Sequence, residues 1–130
     1  MAAIKRFEEI HAWQTAREIT KQVYKLSDQG YFGRDFGFRD QIRRAAISVM
    51  SNIAEGFESN TQGLFIKYLG YAKASAGEVR SQLYIAYDLG YISKEQFNFL
   101  IELTRKCSSQ VYKFMMYLKH EPNFRKKYSQ

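Results

Sequence analysis

The sequence predicts an all-α protein, an antiparallel up-down-up-down four-helix bundle, and three observations carry that fold. One proline and eight glycines in 130 residues leave few breakers. Apolar residues recur at helical spacing in four segments, and glycine-containing breaks separate those segments. With 45% hydrophobic and 25% charged residues, the balance and the length suit one globular domain. The expected organisation is a bundle over residues 1–120 and a basic tail over residues 121–130.

The first predicted helix runs from about Glu8 to Ser27, with Trp13, Ala16, Ile19, Thr20, Val23 and Leu26 inward, and Asp28-Gln29-Gly30 stops it. A loop containing Gly30, Gly33 and Gly37 leads to the second, about Asp35 to Phe57. Its stripe is Phe38, Ile42, Ala45, Ala46, Val49 and Ile53, with Gly56 as its C-terminal signal. A polar break follows in which Ser59 and Gln62 have capping-box spacing. The third helix continues to about Leu89 with Phe65, Leu69, Ala72, Ala76, Val79, Leu83 and Ala86 inward, and Gly90 ends it. A second capping box, Ser93 with Gln96, starts the fourth. That helix presents Phe97, Leu100, Ile101, Thr104, Cys107, Ser108, Val111, Met115 and Leu118 before Pro122 stops it. Helices of this length joined by short links pack antiparallel.

Net charge is +7 and 16% of residues are aromatic, a combination that points to an anionic partner. Residues 1–65 carry 9 basic and 8 acidic side chains and residues 66–130 carry 11 and 5, so the excess belongs to the second half. It is densest in the tail, where Arg125, Lys126 and Lys127 lie beside Phe124 and Tyr128. Such a tail either attracts phosphate by counterion release or is a solvated terminus. Most aromatics fall at core and boundary positions, which removes them as evidence for base stacking.

Several classes are excluded. A lone Cys107 forms neither an internal disulfide nor a multi-thiolate zinc site, which fits a reducing compartment. No apolar run approaches a membrane span, and the N-terminus lacks the apolar core of a signal peptide, so a cytoplasmic protein without a membrane partner is expected. His11 and His120 stand apart and in no ligand spacing. Glu55 and Glu78 would pair as carboxylates across two helices, but no Glu-x-x-His accompanies them. No catalytic, cofactor or metal site is expected, and the protein is read as a non-enzyme.

Function then rests on faces that the core leaves over. On the third helix Gly70, Ala74, Gly77, Ser81 and Ile85 form a small, nearly uncharged face opposite the core stripe. Either it is a solvated face or it admits another helix closely; the second reading, a subunit interface, is preferred because four helices already close one core. Gln41, Ser48, Asn52 and Glu55 on the second helix match Tyr71, Ser75, Glu78 and Gln82 on the third, two polar stripes able to fix register. Arg39, Arg43 and Arg44 either pair with carboxylates or bind phosphate.

The run Gln41-Ile42-Arg43-Arg44-Ala45-Ala46-Ile47-Ser48-Val49-Met50-Ser51-Asn52-Ile53-Ala54-Glu55-Gly56 resembles the signature of the bacterial four-helix-bundle proteins encoded in 23S rRNA intervening sequences. Trp13-Gln14 with Ala16 and Tyr24, then Phe65, Tyr68-Leu69, Ala72, Ala74-Ser75, Glu78 and Gln82-Leu83, then Leu89-Gly90-Tyr91 extend the resemblance over about residues 7–118. Met50 stands where the family usually has proline, and Ala74 where glycine is frequent. The resemblance implies a ring-like homopentamer. It also implies similarity to the accessory variability determinant proteins of diversity-generating retroelements, which work beside a reverse transcriptase and bind nucleic acid through a basic surface.

The expected function is a non-enzymatic, oligomeric nucleic-acid-binding scaffold or accessory protein directed to RNA. Its candidate contacts are Arg39, Arg43, Arg44, Lys106, Lys113, Arg125, Lys126 and Lys127. The alternative is a module that docks a reverse-transcriptase-like or other protein partner without touching nucleic acid.

Overall fold

The structure, a computed structural model, describes residues 4–121. Among these it is all-helical: a short 3-10 turn at Phe7–Glu9, then α1 (His11–Ser27), α2 (Gly30–Arg34), α3 (Phe36–Glu58), α4 (Gln62–Asp88) and α5 (Lys94–Lys119). The four long helices pack as a bundle in which α3 lies against α1 and α4, and α5 lies against α4 and α1. Cross-helix contacts run in opposite senses along neighbours. Thr20 donates to the Ala46 carbonyl while Arg43 reaches Ser27. Ser48 meets Ser75 while Gly56 meets Phe65. Neighbouring helices are therefore antiparallel. No described helix is long and apolar enough to cross a membrane.

The predicted inward stripes of α3 and α4 are buried at every position except Phe38, which is half-buried. Alanines at positions 12, 16, 45, 46, 72, 76 and 86 thin the core and let the helices approach. On α5, Phe114 is buried, whereas the predicted Phe97 and Met115 sit half-buried at the boundary. On α1, Ala12 and Ser27 are buried and Trp13 is half-buried.

The termini sort the predicted signals. Gly90 takes φ +75 and ends α4 as expected, with Tyr91 N–H donating to Ala86 and Gly90 N–H to Tyr87. Ser93 and Gln96 form the predicted reciprocal capping box. The Ser59/Gln62 box is not formed: Ser59 caps the end of α3 by donating to the Gly56 carbonyl, and Thr61 caps α4. Gln62 Nε2 instead donates to the Leu118 and Glu121 carbonyls at the end of α5, at 2.6 and 2.7 Å. Gly56 does not end the second predicted helix. It lies within α3, and the left-handed turn falls at Asn60, φ +67. Gly56 is needed for space, because a Cβ there would stand 2.9 Å from both Phe65 Cδ1 and Tyr68 Cβ.

Two other boundaries shift. Extended backbone at the buried Ile10 breaks the first predicted helix, so α1 starts at His11. Part of the predicted glycine loop is helical because Phe32 of α2 is buried, stacking on Phe38 and Tyr91 at 5.5 and 5.2 Å. Asp35 caps α3 and accepts the Tyr91 hydroxyl at 2.8 Å, and that bond raises the Tyr91 pKa above its ordinary 10.0.

Candidate nucleic-acid interface

The candidate cations divide according to what the fold asks of them. Arg39 is held three ways: Nε pairs with Asp40 at 3.0 Å, Nη1 donates to the Gly33 carbonyl, and the guanidinium lies over Phe36. Arg43 Nε donates to Ser27 Oγ at 2.7 Å, Nη2 donates to the Tyr24 carbonyl, and the group covers the Tyr24 ring at 4.4 Å. These two arginines fasten the end of α1 and the α2 turn to α3. Arg44, one residue on and so about 100° round the helix, is exposed.

Lys106 and Lys113 are exposed on α5 and seven residues apart, which is two turns and one face. Because α3 and α5 occupy one diagonal of the bundle, Arg44 and the two lysines do not form a single patch. Arg125, Lys126 and Lys127 lie outside the described residues. Among the described residues only two ion pairs form, Arg39 with Asp40 and Arg105 with Glu102. The fold's own carboxylates leave most of the positive charge facing water.

The polar stripes meet at one cross-helix contact. The Ser48 and Ser75 hydroxyls are 2.8 Å apart, Asn52 Nδ2 donates to Ser48 O and Oγ, and Gln82 donates to Glu78. Of these bonds only Ser48–Ser75 crosses from α3 to α4, and Gln41, Glu55 and Tyr71 are exposed. Among the described residues no cluster of three or more His, Cys, Asp or Glu is placed to hold a metal. Cys107 is buried, its thiol donating to the Ala12 carbonyl, and burial pushes its pKa to about 12. It is a packing residue with negligible thiolate at neutral pH.

The small face of α4 stays open in the single chain. Ala74 and Ser81 are exposed, Ile85 is 46% exposed, and a Cβ at Gly77 would meet nothing within 4 Å. Gly70 borders α5, where an added Cβ would stand 3.8 Å from the Met115 methyl.

Sequence reasoning missed a second group, on the less basic half of the chain. Arg17 lies over Trp13 and Arg34 over Tyr31, in addition to the pairs made by Arg39 and Arg43. Tyr31 and Phe36 are 76% and 62% exposed. Setting the aromatics aside as evidence for stacking, because most are core and boundary residues, therefore needs correction at these positions. The i,i+3 and i,i+4 spacings of three of the pairs carried the signal.

A search of curated proteins finds no match. The model of the 23S rRNA-intervening sequence protein family matches residues 8–113. Among solved structures, the chain is similar to a protein of unknown function from the S23 ribosomal protein family of Bacteroides thetaiotaomicron VPI-5482. The TM-score is 0.74 at 19% identity, covering 81% of this chain and 95% of that one. At this identity the likeness is one of fold.

Proposed function

The chain belongs to the 23S rRNA-intervening sequence protein family, and from that premise we propose that it is a non-enzymatic RNA-binding accessory protein acting as a homo-oligomer. The observation that supports this most is the uncompensated charge: +7 overall, with Arg44, Lys106 and Lys113 exposed and joined to no carboxylate among the described residues. Such cations release counterions from a phosphate backbone at little cost to the fold. Anisotropy of a labelled RNA titrated with the full chain at low ionic strength tests the reading, and added salt should weaken the binding.

Oligomerisation multiplies weak contacts by avidity, and a pentamer is the assembly that family resemblance implies. The proposed interface is the small face of α4, comprising Gly70, Ala74, Gly77, Ser81 and Ile85. Light scattering at micromolar concentration should return a multiple of 15.3 kDa. Gly77→Leu has open space in the single chain, so it should keep the fold and shift the mass toward the monomer. A monomeric wild-type chain contradicts the assembly.

A second reading, docking of a reverse-transcriptase-like or other protein, is favoured by one surface. Tyr84 and Tyr87 of α4, both exposed, pack on Phe97 of α5, and Leu89 is exposed just past the end of α4, leaving apolar surface at this end of the bundle. Nuclease treatment during a pull-down from the host separates the readings, since it releases RNA-bridged partners and spares direct ones.

A further inference from the structure

Four arginines among the described residues lie over aromatic rings: Arg17 over Trp13 at 5.8 Å, Arg34 over Tyr31 at 5.5 Å, Arg39 over Phe36 at 4.7 Å and Arg43 over Tyr24 at 4.4 Å. They come from three helices and meet at one seam. On α1, Trp13, Arg17 and Tyr24 are four and seven residues apart, which is one helical face. On α3, Phe36, Arg39 and Arg43 are three and four apart, again one face. The Arg43 contacts with Tyr24 and Ser27 join these faces, and the Arg39 bond to the Gly33 carbonyl adds α2. Trp13 and Tyr24 alone span about 16 Å of α1 at 1.5 Å per residue.

The surroundings are mixed in sign but offer cations to a polyanion. Lys21 is exposed beside Arg17 in a shallow depression lined by Gln14, Arg17, Glu18 and Lys21, and the nearby carboxylates are engaged, Glu18 by Gln22 and Asp40 by Arg39. Of the four arginines over these rings, only Arg39 is ion-paired among the described residues. Packing does not account for the rings, because Tyr31 and Phe36 bury too little surface to stabilise the fold appreciably.

We infer that the α1–α3 seam binds unpaired RNA nucleotides, with bases stacking on Tyr31, Phe36 and Tyr24 while Arg17, Lys21 and Arg34 hold phosphates. The inference rests on the RNA-binding reading and adds a face that recognises bases to the phosphate contacts proposed for Lys106 and Lys113 on α5. A ring already covered by a guanidinium loses little freedom when a base arrives, and ring and guanidinium together form a stacking platform tolerant of sequence. Duplex RNA keeps its bases stacked on one another and offers only its backbone and shallow groove. The seam therefore selects single strands.

The test uses the full chain and a labelled oligouridine of about 12 nucleotides, within the range of known single-strand site sizes, against a hairpin duplex of the same length. Tyr31→Ala and Phe36→Ala should each weaken oligouridine binding by roughly tenfold, the scale of removing one stacked base. Both side chains are exposed, so thermal midpoints should not move. Phe99→Ala and Tyr112→Ala remove exposed rings of α5 that carry no guanidinium, and should change affinity less than twofold. Trp13, the one tryptophan, should report occupancy by a change in fluorescence. Wild-type affinity for oligouridine in Tyr31→Ala and Phe36→Ala, or equal affinity for hairpin and single strand, overturns the seam while leaving RNA binding standing. Absence of binding to either RNA overturns both.

Discussion

Replacing Gly56 by leucine should lower stability by roughly 3 kcal/mol, at the upper end of ordinary overpacking costs. The reason lies in what the new side chain would strike. A Cβ at this position meets Phe65 Cδ1 and Tyr68 Cβ at 2.9 Å and the Phe65 carbonyl at 3.3 Å. Tyr68 Cβ and the carbonyl are tied to the α4 backbone and cannot swing aside. Relief requires α3 and α4 to separate where Ile53, Phe65 and Leu69 are fully buried, and dispersion attraction falls off steeply with such a gap. Alanine meets the same atoms but regains up to about 1 kcal/mol of helix propensity, so Gly56→Ala should cost less. Thermal melts read the difference: about 4 °C is expected per kcal/mol for a domain of this size, so the leucine variant should melt about 12 °C lower. An unchanged midpoint would show that the crossing has slack.

The second large effect concerns Lys106 and Lys113. Reversing both to glutamate should lower RNA affinity by roughly a hundredfold at low salt and reduce the salt slope by about 0.7 for each phosphate of a single strand no longer neutralised. Both side chains are exposed on one face of α5, and neither is ion-paired among the described residues. Stability should therefore stay within about 0.5 kcal/mol of wild type. Anisotropy titrations with the double variant, alongside a melt, separate weakened binding from a damaged fold. Unaltered affinity would exclude these lysines from the interface. In an oligomer the deficit recurs in every subunit and compounds through avidity.

Periodicity made the core legible because each buried stripe repeats within its own helix, as Ile42, Ala46, Val49 and Ile53 do on α3. The Ser93–Gln96 box and Gly90 were legible for the same reason, since both ends of each motif are local. Gly56 was not: the atoms that demand a glycine belong to Phe65 and Tyr68 on another helix, and its nearness to the end of α3 gave it the aspect of a stop signal. Ser59 and Gln62 fit the capping-box spacing, yet Thr61 took the cap and Gln62 was drawn to the carbonyls of Leu118 in α5 and Glu121 just past it, 56 and 59 residues away. Among the cations, counting charges by halves found the excess but hid the seam. Trp13–Arg17, Tyr31–Arg34 and Phe36–Arg39 are readable as local spacings, whereas Arg43 over Tyr24 bridges nineteen positions and needs the α1–α3 packing.

The RNA-binding reading and the seam that refines it both depend on this chain's cations meeting phosphates. The direct measurement is the RNA association constant of the full wild-type chain across a range of monovalent salt. A linear fall of log K with log salt, with a slope of about −0.7 for each phosphate neutralised on a single strand, is the expected result, steeper for the oligomer than for a monomeric Gly77→Leu variant. No measurable RNA binding even at low ionic strength would contradict it.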